Sequence, residues 1–352
     1  MTQKNILPEG IESKIKAEAY RLGFSLAGIT SSAPLAGYPI YERWLHNGHN
    51  ADMSYLTSEY HRESRRNPQR LMPGVRSIIC LGYSYPIQPL EKTQINDTAL
   101  VAGYAFGTDY HFTLPLKLES LAKYIESICF KPIAYKAFTD SAPILERELA
   151  SRAGLGWIGK NSCLISPRLG SSFLLAELFV DLELVPDKPF SEDFCGSCQL
   201  CLKACPTSCF ESNRTIDSHG CISYHTIENK QVIPVGVAEK VGNWLFGCDI
   251  CQMVCPWNKR TLSITPETEF KMQQLVGILE MDSDSFAYKF SNSSLLRAKL
   301  FGLVRNALIV LTKKDQTTSI PAIEEFQARC NDPVLISTAR WALDRIAKKP
   351  PL

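Results

Sequence analysis

Apolar positions from Ile11 to Leu22 recur at helical spacing and stop at Gly23, a natural C-cap, after which Ser25 to Thr30 reads as a short strand. The alternation of helix and strand continues. Arg76 to Tyr83 has the unbroken apolar run of a buried strand, Phe112 to Phe130 is helical with a break expected near Pro115, and Ile133 to Thr139 is another strand. A helix is expected over Pro143 to Arg152, its proline at the start where a missing N–H costs little, with Glu146 and Arg147 pairing on its surface. Strands joined by a turn at Ser166 to Gly170 follow and end near Val185. Residues 1–190 therefore predict an α/β or α+β domain, and Asp187 to Asp193 reads as a linker. Residues 191–258 lose hydrophobic periodicity. From residue 259 the pattern turns helical, and Ser294 to Thr312, Ile320 to Arg329 and Asp332 to Ala347 have the lengths of one or two HEAT-type repeats.

The chain has 352 residues, of which 45% are hydrophobic and 21% charged, enough apolar material for two or three packed domains. No apolar run approaches the roughly 18 to 20 residues a membrane span requires, and Glu177 interrupts the best candidate, Ser172 to Val180. The N-terminus has neither a basic-then-apolar leader nor a twin-arginine pair, so a cytoplasmic protein is expected, with a monomer as the default. Net charge is only +2, yet Ser294 to Lys349 holds ten Lys or Arg against five Asp or Glu, a local +5 that leaves −3 for the remainder. Such a tail suits either a polyanion or a solvated helical surface.

Cysteine usage changes the picture most. Thirteen cysteines in a reducing compartment point to metal binding, and they concentrate between Cys195 and Cys255. CGSCQLCLKACP sets Cys195, Cys198, Cys201 and Cys205 in the C-x2-C-x2-C-x3-C-P run that ligates 4Fe-4S clusters, its last cysteine directed to a second cluster. Cys248, Cys251 and Cys255 repeat the run with Leu245 in place of its first cysteine. Crossing over, Cys195, Cys198, Cys201 and Cys255 hold one cluster, whereas Cys205, Cys248 and Cys251 need a fourth thiolate from Cys209 or Cys221. Cys221 is favoured because Cys209 follows Cys-Pro where such modules bury a small residue. A cysteine-ligated zinc site is the alternative, and the two interlocked runs argue against it. Cys80, Cys129, Cys163 and Cys330 lie in apolar or helical stretches and are expected to act as small hydrophobes.

A two-cluster module would need only a fraction of this length, so the rest predicts a reaction on board. No G-x-G-x-x-G follows a strand, and GLGWIGKN, Gly154 to Asn161, reads equally as a helix C-cap with turn or as backbone approaching a ligand, with Lys160 and Asn161 as polar contacts. Asp140 ends a strand just before a helix, where it is either an N-cap, a task Ser141 also suits, or a cleft residue. A reductase needs a proton donor, and a carboxylic acid in an apolar cleft stays protonated near neutrality.

TDSAPILERELA, GLGWIGKNSCLI, CGSCQLCLKACPT, GCISYHTIE and FGCDICQMVCPWN follow one another here as they do in the epoxyqueuosine reductases, which this chain resembles from about Met53 to Asn306. The resemblance implies base-off cobalamin held between the first domain and the cluster module, reduced by the two 4Fe-4S clusters, and acting on the epoxide of epoxyqueuosine in tRNA. It implies Asp140 as proton donor, and Arg65, Tyr104, Asp140, Lys160, Asn161, Ser223, Cys248 and Asp249 as cobalamin contacts. An external electron donor is required. Asp109-Tyr110-His111 begins like the D-x-H-x-x-G motif of histidine-on cobalamin enzymes, but Leu114 replaces its glycine, and YAFGTDYH carries Phe106 where the family commonly has arginine. Arg305-Asn306 and the DPVLISTARWAL stretch match a tRNA-facing extension, and a phosphate-gripping tail would make tRNA affinity fall steeply with salt. Two other readings remain at this point. A reductive dehalogenase shares the cofactors but usually carries an export signal, and an electron-transfer subunit would hold clusters without a corrinoid.

Overall fold

The computed structural model describes residues 7–87, 98–259, 269–312 and 319–348. Four strands, β1 (Leu26–Ser31), β2 (Ser77–Ser84), β4 (Tyr135–Phe138) and β7 (Phe173–Val180), form a sheet of order β1-β2-β7-β4 in which every neighbouring pair is antiparallel. The short strands β5 (Trp157–Ile158) and β6 (Leu164–Ile165) pair antiparallel as a separate hairpin, and the first domain is therefore α+β. Helices Ile11–Arg21 and Tyr110–Cys129 cover one face through Ile15, Ala19, Leu114, Leu118 and Ile125, packed on Ile79, Leu81 and Leu178. The opposite face packs Ile78, Cys80 and Phe179 against Leu149 and Ala150 of the short helix Glu146–Arg152.

Pro115 does not break its helix, which runs continuously from Tyr110 to Cys129. It gives up one intrahelical N–H near the start, and the completely buried Leu114 and Leu118, each contributing about 1.5–3 kcal/mol, outweigh that loss. The helix expected from Pro143 begins only at Glu146, with Leu145 as N-cap and no side-chain cap, so neither Asp140 nor Ser141 has the capping role. The stretch read as a linker is stitched down, since Asp187 accepts from Ile29 N (2.7 Å) and Lys16 Nζ (2.5 Å).

A second sheet draws one strand from each of the three segments expected from sequence, 1–190, 191–258 and 259–352. β3 (Thr98–Val101) lies between β8 (Trp244–Phe246), which is parallel to it, and β9 (Glu269–Lys271), which is antiparallel. Helices Met272–Leu279, Lys299–Leu311, Ile320–Arg329 and Pro333–Ala347 build one core on this sheet, in which Leu303, Ala307 and Leu311 meet Ala99, Val101, Leu245 and Phe246. Phe106 packs on that core, which accounts for an apolar residue there.

Arg305 and Asn306 are wholly buried and spend their donors within the protein. Arg305 donates to the carbonyls of Asn229 (2.7 Å), Gln231 (2.8 Å) and His225, while Asn306 Nδ2 donates to Thr226 O (2.8 Å) and Leu245 O (2.9 Å). They staple helix Ile222–Ile227, and with it Cys221 and Ser223, to the C-terminal core. Other tail charges are likewise engaged internally. Arg297 bonds Asp109, Arg345 pairs with Glu239 at 2.9 Å, and Arg329 donates to Leu279 O. Lys313, Lys314, Asp315 and Lys349, which contribute to the +5, lie outside the described residues.

Candidate active site

β4 ends at Phe138, the buried Thr139 hydroxyl donates to Leu175 O (2.8 Å), and Asp140 then turns through the left-handed region at φ 51°. Its carboxyl lies at a cavity of about 410 Å³ lined also by Tyr55, Tyr60, His61, Arg65 and Lys136. These surroundings are polar, so the apolar cleft expected for this acid is not what the fold builds. The Tyr110 hydroxyl donates to Asp140 Oδ2 (2.8 Å), Arg297 Nη1 donates to that hydroxyl (2.9 Å), and the same nitrogen stands 3.6 Å from Asp140 Oδ2. Burial and the neighbouring Asp140 charge push the Tyr110 phenol far above its ordinary value, so it remains a donor.

Arg65, on helix Glu59–Arg66, stands over the Tyr41 ring (5.1 Å to its centre) and bonds His61 Nδ1 (3.1 Å), which aims its charge at the cavity beside Asp140. Tyr55 and Tyr60 are 50% and 57% exposed and flank His61 edge-on.

Asp109 caps the helix that carries Tyr110, accepting from His111 N, and Arg297 bonds both Asp109 and His111 Nδ1. Nδ1 of the histidine in the truncated cobalt motif is thus engaged within the fold. Tyr104 makes edge contacts with Tyr110 and Tyr85 and a tilted one with Phe246. The residue before it, Gly103, donates its N–H to the buried Asp249 Oδ2 (2.6 Å), and a Cβ at Gly103 would meet Pro86 O at 2.2 Å. Burial pushes Asp249 up to about 6. One path of contacts thus runs from Cys248-Asp249 through Gly103-Tyr104 to Tyr110 and Asp140.

Each cysteine run ends on a short helix, Leu200–Ala204 and Ile250–Met253, and these pack together. Cys195 and Cys255 share an apolar pocket with Trp157, Trp257 and Phe190, and Trp157 Nε1 lies 3.4 Å from Cys195 Sγ. Cys255 lies near Cys195 and Cys201, and also near Cys163. In the second group Cys221 is within reach of Cys205, Cys248 and Cys251. Cys209 packs behind, on Gly220, with its sulfur 3.6 Å from that of Cys205 and also against Cys221. Thiols gathered around two places fit two iron-sulfur clusters in donor chemistry, with apolar residues packed on Cys195, Cys255 and Cys248.

Lys160 does not join Asp140. Its Nζ donates to Gly196 O (2.6 Å) and Cys198 O (3.0 Å) and so fastens the first cysteine run. The glycines before it serve the chain itself: Gly154 closes its helix at φ 82°, and a Cβ at Gly156 would meet Ile165 O at 2.0 Å. Asn161 is buried, its Oδ1 accepts from Cys163 N (3.2 Å), and its Nδ2 has no acceptor among the described residues. Such an orphaned donor fits a cofactor rich in amide carbonyls. Ser223 is partly buried on the Cys221 helix.

Tyr110 and Arg297 carry weight that sequence reading missed, the first noted only within a failed motif and the second only as tail charge. Cys163, expected to act only as a small hydrophobe, lies beside Cys251. Glu146 and Arg147 do not pair: Glu146 Oε1 accepts from Asp140 N (2.8 Å) and touches Glu177, while Arg147 donates to Ser162 Oγ (2.7 Å).

Two family models match the chain, "Epoxyqueuosine reductase QueG, DUF1730" over residues 65–141 and "4Fe-4S double cluster binding domain" over residues 194–258. An epoxyqueuosine reductase from Cyclobacterium marinum is 38% identical over 83% of this chain and 94% of its own. A crystal structure of epoxyqueuosine reductase with an epoxyqueuosine-modified tRNA-Tyr stem loop superposes with TM-score 0.85 at 28% identity, covering 96% of this chain and 90% of that one. A Bacillus subtilis epoxyqueuosine reductase, described with the loop of a catalytic aspartate swung out of the active site, superposes with TM-score 0.82 at 28% identity over the same shares. With the acid turn, the two thiol sets and the matched families in agreement, the chain belongs to the epoxyqueuosine reductase family.

Proposed function

We propose that this chain reduces the epoxide of epoxyqueuosine in tRNA to the cyclopentene of queuosine, in the cytoplasm and as a monomer. The observation that carries the reading is the path of contacts joining Cys248-Asp249, beside the second thiol set, to the Asp140 carboxyl at the cavity. The overall change consumes two electrons and two protons and releases water. Cys195, Cys198, Cys201 and Cys255 would hold one 4Fe-4S cluster, and Cys205, Cys221, Cys248 and Cys251 the other. Arg65, Tyr104, Asn161, Ser223 and the Cys248-Asp249 segment would surround the cobalamin. When bound, cobalamin supplies the low-potential electron chemistry that the side chains lack.

The chain's own residues supply protons and placement. Tyr110 occupies Asp140 Oδ2, so Oδ1 is the oxygen that presents a proton to the substrate. Arg297 holds Tyr110 in that role and adds positive charge where an oxygen leaves the substrate. Tyr55, Tyr60 and His61 at the rim offer rings on which exposed bases of an anticodon loop stack. The C-terminal helices, a HEAT-type pair in this reading, would face the tRNA.

Anaerobic protein reconstituted with iron, sulfide and cobalamin, given a reductant and an epoxyqueuosine-containing stem loop, is expected to form queuosine, detected by nucleoside mass spectrometry. No conversion by fully loaded protein would exclude this substrate. An electron-transfer subunit would bind no corrinoid. Tyr60→Ala is expected to weaken stem-loop binding about tenfold, the loss of one base–aromatic stack, with cluster content unchanged. Wild-type affinity in that variant would remove Tyr60 from the interface.

A further inference from the structure

Glu177 stands on the central strand β7, opposite Cys80 of β2 and Phe138 of β4, and is completely buried. Neither of its carboxylate oxygens finds a donor among the described residues. The group it touches is another acid, Glu146. Two carboxylates in contact inside a low-dielectric core repel strongly, and the pair becomes a hydrogen bond only when it retains a proton. Glu146 turns its Oε1 the other way, to accept from the backbone N–H of Asp140 at 2.8 Å. Asp140 is a non-glycine residue at φ 51°, a conformation that costs on the order of 1 kcal/mol and persists only where neighbours enforce it.

We propose that Glu146 is the positioning residue of the Asp140 turn, acting as half of an acid pair with Glu177 that holds a single proton. The inference rests on the reading of Asp140 as the proton donor. The charged and titratable groups around the pair are Asp140 from the turn, Arg147 on the same helix, Arg65 from helix Glu59–Arg66 and Cys80 from β2. With one proton held between the two glutamates, Glu177 has its hydrogen bond and Glu146 keeps negative charge for the Asp140 amide. Burial and the Asp140 charge raise Glu146 to about 7, in keeping with a shared proton. The link to Asp140 is a peptide N–H, so the pair does not relay protons. It fixes where the Asp140 carboxyl stands.

The test compares E146A, E146D and E146Q with D140N in the cluster- and cobalamin-loaded enzyme, reading single-turnover rate, stem-loop affinity and amide exchange at Asp140. E146A is expected to slow turnover about 10- to 100-fold, the cost of a displaced catalytic group, with affinity within about twofold of wild type and faster exchange at Asp140. E146D keeps the charge but withdraws the oxygen, and should lose rate in the same direction. E146Q should recover most of the rate, because its amide oxygen accepts from Asp140 N while its NH2 donates to Glu177. Wild-type turnover and exchange in both E146A and E146D, with D140N inactive, would overturn the positioning role and leave the donor reading intact. Full activity in D140N would instead defeat the donor reading. If E146A does not fold, E146D and E146Q decide the question, and equal rates in those two overturn the proposal.

Discussion

Cys221→Ala is expected to yield a protein with about half the iron of the wild type and no measurable queuosine formation, whereas Cys209→Ala keeps both clusters and its activity. Both cysteines lie beside Cys205, so proximity to that residue does not separate them. What separates them is the rest of the set. Cys221 also reaches Cys248 and Cys251, while Cys209 is buried behind against Gly220. A cubane bridging Cys205, Cys248 and Cys251 needs its fourth thiolate on their side. Removing a ligand exposes one iron and destabilises the cluster, and the electron path to the cavity is then cut. Removing Cys209 leaves only a small buried void, a cost of about 1 kcal/mol. Iron analysis with EPR of the reduced protein measures both outcomes, and a second cluster retained in Cys221→Ala would transfer the ligand role to Cys209.

The parts of this site that were legible in sequence are those whose chemistry is local. Cysteine spacing states its own purpose, because three thiolates within seven residues can wrap a cluster with little help from the fold. Asp140 was legible as a residue at a strand end. The parts that were not legible depend on long-range contact. Arg297 meets Asp109 and Tyr110 across nearly 190 positions, and no pattern near Arg297 signals that meeting. The same holds for Arg305, whose charge suggested phosphate contact. A guanidinium with three carbonyls to satisfy is as useful inside a protein as on its surface.

Glu146 and Glu177 show why periodicity misleads at an active site. Glu177 interrupts an apolar strand, and on the pattern alone it marks a segment too polar to span a membrane. In the fold it faces a second acid beneath the Asp140 turn. Glu146 next to Arg147 looked like a surface ion pair, yet the helix starts three residues later than expected and aims the two side chains at different targets. Residues that break the local rule, at Glu177 and at the left-handed Asp140, are the ones that belong to the site.

Asp140→Asn is expected to lower turnover by about 10²- to 10⁴-fold, the range for loss of a general acid, while iron, corrinoid and stem-loop affinity stay at wild-type levels. Asparagine is the informative replacement. It tolerates the left-handed backbone that Asp140 adopts, keeps an oxygen to accept from the Tyr110 hydroxyl, and retains the N–H that Glu146 holds. The turn should therefore stay in place, and what disappears is the acidic proton. Alanine would remove the Tyr110 contact as well and confuse proton transfer with position. Because the change to the cyclopentene takes up two protons, the variant should accumulate reduced, substrate-bound enzyme rather than fail to bind or to accept electrons. Rapid reduction of both clusters followed by a stalled chemical step, seen by stopped-flow spectroscopy and product quench, would match that expectation. Wild-type single-turnover rates in Asp140→Asn would mean that the proton reaches the substrate from another group at the cavity, and Tyr110, already linked to Arg297, would be the next residue to test.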